Sequence, residues 1–322
     1  MNKINISHIV NIISISVFIE SIFIATSIPV ALFYKESVTV PLIFSFLVAF
    51  VSGVSGFLLT RKNSSEHSIR DTYASVFLTW IFISVYGAFP FIFTDSIPKF
   101  HDAFFEAASG FSTTGATILK EVENLPKSVL LWRSETHLLG GMGIIVLIIV
   151  FLPLSKAGGQ HMMMAEGSFV NSEKIKSRSI DVAKRMWLIY ISLTVIEIIL
   201  LTIAGMDLFD SICHSFGTIA TGGFSTKNDS IMGYSPLIQY ILILFMISGG
   251  INFSLYYLLI HGKLKKVISN EELKLFLLII FFSTLIIVFI LKVNFNYNWE
   301  KSIRDSLFQV VSIISTTGYI TS

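Results

Sequence analysis

The sequence predicts an all-α polytopic membrane protein, and composition gives the first reason for this fold class. Hydrophobic residues make up 53% of the 322 residues and charged residues only 14%, and the mean hydropathy is +0.75. The apolar residues form many separate runs of about 18 or more, each long enough to cross a bilayer as a helix. A further reason is a repeated short apolar segment followed by a glycine-rich turn.

Seven apolar segments have the length that a transmembrane span requires. The first is longer than the apolar core of a secretory signal, has no cleavage-like end and is followed at once by a second span. We therefore expect it to stay in the mature protein. The seven expected spans are 8–34, 38–60, 73–94, 129–153, 183–205, 235–260 and 272–292.

Three stretches of the chain carry one repeated pattern and lie between or after these spans. They are Asp102 to Thr117, Asp210 to Ser225 and Asp305 to Ile320, and in each an Asp lies thirteen residues before a glycine. The tripeptides before the three glycines are Ser112-Thr113-Thr114, Ala220-Thr221-Gly222 and Ser315-Thr316-Thr317. Each segment before the turn has about ten residues, roughly 15 Å of helix. This pattern is typical of a re-entrant pore loop.

The spacing of the repeated glycines defines a unit of span, pore loop and span. Gly115 and Gly223 are 108 residues apart, and Gly223 and Gly318 are 95 apart. We expect two extra N-terminal transmembrane helices at 1–60, then units at 61–155, 156–260 and 261–322. Two units are complete and the third is partial, truncated after its filter turn. Three units cannot close a ring of four, so the fourth unit is absent and is expected beyond Ser322.

The distribution of Lys and Arg predicts the orientation. The segments 61–70, 156–185 and 261–274 hold 13 of the 23 basic residues, which makes them cytoplasmic by the positive-inside rule. All three pore loops then enter from the outside. The basic segments are consistent with lipid contact or with docking of a cytoplasmic partner.

The chemistry of the turns favours a monovalent cation. Backbone carbonyls of a Gly/Thr turn can replace the hydration shell of an ion, and glycine tolerates the positive φ that such a turn requires. The preceding helix adds the negative end of its dipole. Thr316-Thr317-Gly318-Tyr319 is also close to the threonine–glycine–tyrosine filter of potassium channels. The nine candidate ion-binding residues are Thr113, Thr114, Gly115, Thr221, Gly222, Gly223, Thr316, Thr317 and Gly318. The alternative is that these clusters only let helices pack closely.

Other classes of function find little support in the sequence. The single cysteine, Cys213, excludes an internal disulfide, and a net charge of +2 points to no nucleic-acid role. His137, His161 and His214 lack the spacing of metal ligands. No catalytic set or phosphate-binding glycine loop is recognisable, so we expect neither an enzyme nor a cofactor.

Three charged residues and two glycine clusters leave alternatives open. Glu20 and Glu197 lie inside expected spans, where they could couple transport to protons or sodium, or bond to a neighbouring helix as neutral carboxyls. Arg133 could repel cations, pair with Glu106 or Glu135, or extend to the headgroups. Gly140-Gly141-Met142-Gly143 and Gly249-Gly250 are most simply close-packing faces.

Several motifs together resemble the TrkH branch of the Trk/Ktr potassium-uptake superfamily. They are the run from Phe104 to Thr117, Trp132-Arg133 with the run from Gly140 to Val146, the run from His214 to Ser225, and Phe308 to Ser312. The resemblance covers essentially the whole chain, including the two N-terminal helices. It implies a fourfold pseudo-symmetric pore with one potassium filter in the cell membrane, a homodimer, and a cytoplasmic nucleotide-binding regulatory protein.

Two departures from this pattern bear on function. The fourth filter strand is absent, and so is the broken helix after the third loop that forms the intramembrane gate in the family. The chain resembles the N-terminal two thirds of a TrkH subunit. It is therefore expected either to be a potassium-transporting pore subunit, incomplete as it stands, or to be a truncated, non-conducting membrane protein that serves as an assembly partner or is a degraded gene product.

Overall fold

The structure is a computed structural model that describes residues 4–61, 69–151, 172–295 and 298–321. The regular elements of these residues are all α-helices, in agreement with the predicted fold class. His161 and most of the basic segments 61–70 and 156–185 lie outside the described residues. The helices are α1 (Ile6–Phe33), α2 (Thr39–Thr60), α3 (Ile69–Phe93), α4 (Phe100–Phe111), α5 (Lys127–Phe151), α6 (Ser172–Ile203), α7 (Leu208–Ile219), α8 (Pro236–Gly250), α9 (Phe253–Ile260), α10 (Leu264–Ile268), α11 (Glu271–Phe295) and α12 (Trp299–Ile314).

The described helices include five that are long and apolar enough to cross a membrane, two fewer than the seven spans expected. A sixth is counted if α8 and α9 are one broken span, since they meet at a bend of 95°. The expected span at 129–153 corresponds to α5, which is 25 residues long but carries Arg133 and Glu135 in its first half. The five are Ile6–Phe33, Thr39–Thr60, Arg70–Phe93, Lys184–Ile203 and Glu271–Asn294.

The chain forms two compact units. Unit 1 contains residues 1–111 and 124–184, and unit 2 contains residues 112–123 and 185–322. In unit 1, α1 packs against α2, α3 and α5, and the short helix α4 packs against α3 and α5. Trp132 of α5 is fully buried, and its indole N–H donates to the carbonyl of Gly87 in α3 over 3.0 Å. Burial of this large side chain fixes the approach of the two helices.

In unit 2, the hydrophobic core joins the second and third repeats. Helix α8 packs against α7 and α12, and α11 packs against α12. The core includes Leu242 and Met246 of α8 and Phe308 and Val311 of α12, all fully buried. In a bilayer such a core is stabilised mainly by close van der Waals packing of these side chains, because lipid is as apolar as the core.

The three short helices of the repeat end in the same register. Helices α4, α7 and α12 end at Phe111, Ile219 and Ile314, in each case four residues before the repeated glycine. Asp207 caps the start of α7, and its carboxylate accepts a hydrogen bond from the backbone N–H of Phe209 over 3.1 Å. This cap satisfies one of the donors left free at a helix N-terminus. The predicted order of a short helix followed by a glycine turn is therefore confirmed.

Candidate cation-binding site

The three glycine turns share a backbone conformation that is unusual outside glycine. The repeated glycines have φ values of +73° at Gly115, +77° at Gly223 and +82° at Gly318. Two residues earlier in each turn, a threonine also has a positive φ, with values of +53° at Thr113, +55° at Thr221 and +63° at Thr316. A positive φ is rare for a β-branched residue, and such strain persists only where the surroundings impose it. The repeat is therefore one of structure as well as sequence.

The three turns lie side by side within unit 2. A Cβ atom at Gly115 would overlap the carbonyl oxygen of Gly222 and lie 3.1 Å from its carbonyl carbon. A Cβ atom at Gly223 would likewise overlap the carbonyl oxygen of Thr317 and lie 2.9 Å from its carbonyl carbon. Gly222 and Thr317 occupy the same repeat position, directly before the glycine. The second and third turns therefore each present that carbonyl to the glycine of the preceding turn.

The third turn differs from the other two on its outer side. A Cβ atom at Gly318 would have no heavy atom within 4 Å among the described residues. Gly115 and Gly223 each face a carbonyl of the next turn, whereas Gly318 faces no such carbonyl among the described residues. An oxygen-lined ring around an ion would need a further group beside Gly318.

Hydrogen bonds hold the second and third turns in the same way. The N–H of Gly223 donates to the carbonyl of Gly217 over 3.4 Å, and the N–H of Gly318 donates to the carbonyl of Ser312 over 3.2 Å. Both bonds reach back six residues into the preceding helix. Since Gly217 and Ser312 occupy the same repeat position, the match extends from the turn into the pore helix.

A pair of hydroxyl groups recurs in the first and third turns. Ser112 Oγ lies 2.8 Å from Thr114 Oγ1, and Ser315 Oγ lies 2.8 Å from Thr317 Oγ1. In the second turn these two positions are Ala220 and Gly222, which lack hydroxyl groups. The side chains of the turns therefore vary, whereas the backbone conformation is common to all three.

The aspartate that opens each repeat has different partners in different copies. Asp210 accepts hydrogen bonds from Thr226 Oγ1 over 2.7 Å and from the Tyr234 hydroxyl over 2.9 Å. Burial and the adjacent Asp210 carboxylate raise the pKa of Tyr234, which keeps its hydroxyl a donor. Asp305 instead lies 3.5 Å from Arg304 Nε, and Asp102 lies 3.4 Å from His101 Nε2. The position of this aspartate is therefore common to the three repeats, whereas these partners differ from one repeat to the next.

The segments that follow the turns connect neighbouring repeats. After the first turn, the N–H of Val122 donates to the side-chain oxygen of Asn228 over 2.7 Å. After the third turn, the carbonyl of Ile320 accepts from the N–H of Ile231 over 3.1 Å. The segment after the second turn is thereby bonded to the segments after the first and the third. These bonds fix the three turns as one assembly.

The turns offer neutral oxygen ligands to an ion. Their nine residues are threonines and glycines, so carbonyl and hydroxyl oxygens are the donors within reach and no carboxylate is among them. Among the residues that the structure describes, no group of three or more His, Cys, Asp or Glu side chains comes together. A ligand set of neutral oxygens suits a monovalent cation better than a divalent one.

Arg133 forms a buried ion pair in unit 1. Its Nε lies 2.7 Å from Glu106 Oε1, and the two side chains are 3% and 0% exposed. Of the alternatives considered for Arg133, the structure therefore supports pairing with Glu106, and extension to the headgroups is excluded. Glu135 instead accepts a hydrogen bond from Thr26.

The two glutamates of the expected spans are buried. Glu20 is 2% exposed and Glu197 is 0% exposed. Neither carboxyl oxygen of Glu20 has a hydrogen-bond partner among the described residues, and Glu20 Oε1 lies 3.0 Å from where a Cβ atom at Gly87 would be. A buried, unpaired carboxylate is very costly, so Glu20 is expected to be neutral. Its contact with α3 agrees with an inward-facing carboxyl.

The glycine clusters outside the turns are only partly packing faces. Gly140 packs on the backbone of Phe111, since a Cβ atom there would lie 2.7 Å from the Phe111 carbonyl carbon. Gly249 lies against the end of α7, with its Cβ position 3.2 Å from the carbonyl oxygens of Thr218 and Ile219. Gly143, by contrast, has open space around it in the described part of the chain. Gly140 and Gly249 are close-packing positions, and Gly143 has no such contact with the described residues.

One contact of the site has no clear signal in the sequence. Tyr319, which follows the third glycine, is 1% exposed, and its hydroxyl lies near carbonyl oxygens of the second repeat. The threonine–glycine–tyrosine pattern marks the position of Tyr319 but not its partners. Those depend on tertiary contacts between segments about 100 residues apart in the chain.

Comparison with known proteins finds relatives that are named potassium-uptake proteins. The chain is 38% identical over 301 residues to the Trk system potassium uptake protein TrkH of Escherichia coli (strain K12), a match that covers 91% of this chain and 62% of the relative. It is 33% identical over 327 residues to the E. coli Trk system potassium uptake protein TrkG, covering 100% of this chain and 67% of that protein.

A solved structure is similar over almost the whole chain. The crystal structure of the potassium transporter TrkH from Vibrio parahaemolyticus matches with a TM-score of 0.86 and 32% sequence identity, covering 99% of this chain and 66% of that one. The chain thus spans about two thirds of the length of these relatives. Residues 39–320 match the TrkH family, described as cation transport protein. This chain belongs to the TrkH family of cation transport proteins.

Proposed function

We propose that the chain is part of a pore for potassium uptake across the cell membrane and that the three glycine turns bind the ion. One observation carries the proposal. The turns share their unusual backbone conformation and lie side by side, with the second and third turns each presenting a carbonyl to the glycine of the preceding turn. The potassium named for the E. coli and Vibrio relatives supports the choice of ion.

The physical chemistry of the turns explains how they would hold the ion. Alternating signs of φ along a turn bring successive carbonyls toward the same side, so several oxygens can replace the water around a cation. Helices α4, α7 and α12 each end four residues before the glycine. Their C-terminal dipole ends add negative potential there without a fixed charge. The ligands of the ion are then backbone oxygens of Thr113 to Gly115, Thr221 to Gly223 and Thr316 to Gly318.

The open side of Gly318 places a requirement on the pore. We propose repeat units at 61–155, 156–260 and 261–322, each contributing one quadrant of a fourfold ring. The fourth quadrant then needs a turn beside Gly318, whichever segment or chain supplies it. Without oxygens in that quadrant, several kcal/mol of the ion's lost hydration goes uncompensated. Three turns alone are therefore expected not to select potassium.

Growth of a bacterial host that lacks its own potassium-uptake systems tests this proposal. The 322-residue chain is expressed alone and together with a fourth span–pore-loop–span unit taken from E. coli TrkH. We expect the chain alone to reach the membrane without restoring growth on limiting potassium, and the combination to restore growth with potassium and rubidium preferred over sodium. Failure of both would contradict the proposed function. Full rescue by the chain alone would contradict the requirement for a fourth turn.

We also propose that the pore loops enter from the outside. The basic segments 61–70, 156–185 and 261–274 support a cytoplasmic location for the connections between units. Cysteines at Lys120 and Lys227 should then react with a membrane-impermeant thiol reagent in intact cells, and one at Lys265 should not. Cys213 is fully buried and is replaced first to remove the background. Labelling at 265 with protection at 120 would reverse the orientation.

Two assembly partners complete the proposal. We propose a homodimer and a cytoplasmic nucleotide-binding regulatory protein, on the strength of the family resemblance alone. The exposed lysines Lys263, Lys265 and Lys266 on and before α10 offer a positive surface on the proposed cytoplasmic side. Co-purification of the regulatory protein with the unaltered chain, lost when these three lysines are replaced by glutamate, would support this surface as its docking site.

A further inference from the structure

The hydroxyl of Tyr319 connects the third repeat to both sides of the second glycine turn. It lies 3.1 Å from the carbonyl oxygen of His214 and 3.2 Å from the carbonyl oxygen of Phe224. His214 belongs to the pore helix α7, whereas Phe224 directly follows Gly223. A tyrosine hydroxyl carries one proton, so the hydroxyl donates to one carbonyl at a time and shares its bond between them. The side chain is 1% exposed, which keeps water from competing for these bonds.

Gly217 makes this contact sterically feasible. A Cβ atom at Gly217 would lie 2.5 Å from the Tyr319 hydroxyl oxygen and 3.1 Å from the carbonyl oxygen of Phe224. The carbonyl of Gly217 also accepts the N–H of Gly222 over 2.8 Å. The small residue in α7 therefore leaves room for the hydroxyl at the point where the helix holds the second turn.

The backbone of Tyr319 is fixed as firmly as its side chain. Ser312 Oγ in α12 donates to the carbonyl oxygen of Tyr319 over 2.7 Å. The corresponding positions after the other two glycines are Ala116 and Phe224, which carry no hydroxyl. A hydrogen bond of this kind therefore joins only the second and third of the three turns.

We infer that the Tyr319 hydroxyl, in the space left by Gly217, is a brace that sets the distance between the second and third turns and thereby the preference of the site for potassium over sodium. The inference rests on the proposed function. A carbonyl site prefers the ion whose coordination its oxygens can complete, so spacing and rigidity of the oxygens matter. Ile231 and Ile320 also connect the two repeats, over a 3.1 Å backbone bond farther along the chain. Loss of the brace should therefore alter selectivity more than it alters folding.

Replacement of the hydroxyl is the first test, made in whichever assembly supports uptake of the unaltered sequence. With Tyr319→Phe we expect the protein to fold and to lose about two- to tenfold of its preference for potassium over sodium, the ratio that one ordinary hydrogen bond represents. Tyr240→Phe is the matched control. The exposed hydroxyl of Tyr240 donates to Glu300 of the third repeat at a distance of 3.4 Å, and neither residue belongs to a glycine turn. This control should keep the original preference.

A double replacement separates the brace from a general loss of packing. Gly217→Ala should abolish selective uptake, because its Cβ atom collides with the hydroxyl. Adding Tyr319→Phe removes the colliding oxygen and leaves the ring carbon Cζ at 3.5 Å, an ordinary contact. Uptake should then recover in part. No recovery in the double variant would overturn the role of Gly217 in making room for the hydroxyl, since the 3.1 Å contact with the Phe224 carbonyl oxygen would then account for the loss.

A stability measurement gives a second readout that does not need conduction. For the purified assembly of the chain with the fourth unit, potassium should raise the melting temperature more than the same concentration of sodium, since a bound ion stabilises the folded state. Tyr319→Phe should narrow that difference, and Tyr240→Phe should not. If the unaltered protein neither takes up nor is stabilised by potassium, the proposed function fails and the brace fails with it. If it does both and Tyr319→Phe behaves as Tyr240→Phe does, only the brace is wrong.

Discussion

The glycine turns of unit 2 and the helix contacts of unit 1 both depend on glycine, for different physical reasons. Gly115 and Gly223 each have a positive φ, and a carbonyl oxygen of the next turn occupies the space that a Cβ atom would need. Gly140 lies in a regular helix and is needed only because the backbone of Phe111 is close. A substitution in the turns therefore changes both backbone and site, whereas one in the helix changes packing alone.

Alanine in the first two turns should have the largest effect. A Cβ atom at positive φ costs about 1–2 kcal/mol, and overpacking adds about 1–3 kcal/mol. In the assembly with the fourth unit, Gly115→Ala and Gly223→Ala should each lower selective potassium uptake at least about thirtyfold. Gly143→Ala is the control, because that helical glycine has open space around it among the described residues. Equal losses at Gly143 and Gly223 would remove the distinction between turn and helix.

The buried ion pair of unit 1 should show the next largest effect, on stability. Arg133→Met leaves Glu106 buried without its partner, which should cost about 3–5 kcal/mol of unfolding free energy. The double variant Arg133→Met/Glu106→Gln should recover much of this loss, because no uncompensated charge remains. Thermal unfolding in detergent measures both. A double variant no more stable than the single one would show that the two residues act separately.

Alanine at the packed helical glycine should have an intermediate effect of a different kind. Gly140→Ala forces α5 away from the backbone of Phe111, which should cost about 1–3 kcal/mol of stability. The folded fraction should keep its preference for potassium over sodium. A shift in that preference without loss of stability would place Gly140 with the turns.

Alanine in the third turn should have the smallest effect on the stability of the chain when no fourth turn is present. Gly318→Ala adds strain at a φ of +82° but meets no atom of the described residues within 4 Å, so a loss of about 1–2 kcal/mol of unfolding free energy is expected. When a fourth turn is supplied, its carbonyl should occupy the position that Gly222 and Thr317 occupy in the other turns. The free-energy cost of Gly318→Ala should then rise to that of Gly223→Ala. An unchanged effect would indicate that the fourth turn does not pack there.

The sequence was sufficient to predict the helical class, the three short helices and the glycine turns. Those features depend on local patterns, namely apolar length and the Gly/Thr clusters that follow each helix. The break between α8 and α9 was not predicted, because the Ser248-Gly249-Gly250 segment is apolar enough to continue a span. At the break, the Tyr256 hydroxyl donates to the carbonyl of Ser248 over 2.7 Å, and the Asn252 side chain caps the start of α9.

The site was predictable as residues but not as geometry. Positive φ at Gly115 follows from residue type, whereas positive φ at Thr113 contradicts it and arises from the tertiary surroundings. The partners of Arg133 and Tyr319 likewise depend on which helices meet. A choice between Glu106 and Glu135 as partners of Arg133 could not be made from spacing alone.

The central claim is that the three glycine turns bind a dehydrated monovalent cation. Anomalous scattering from rubidium, in crystals of the chain assembled with the fourth unit and grown with rubidium in place of potassium, tests it most directly. We predict a peak in contact with the carbonyl oxygens of the turns at Gly115, Gly223 and Gly318, weakened by excess potassium and absent in Gly223→Ala. A peak elsewhere, or no peak at saturating rubidium, would contradict the claim.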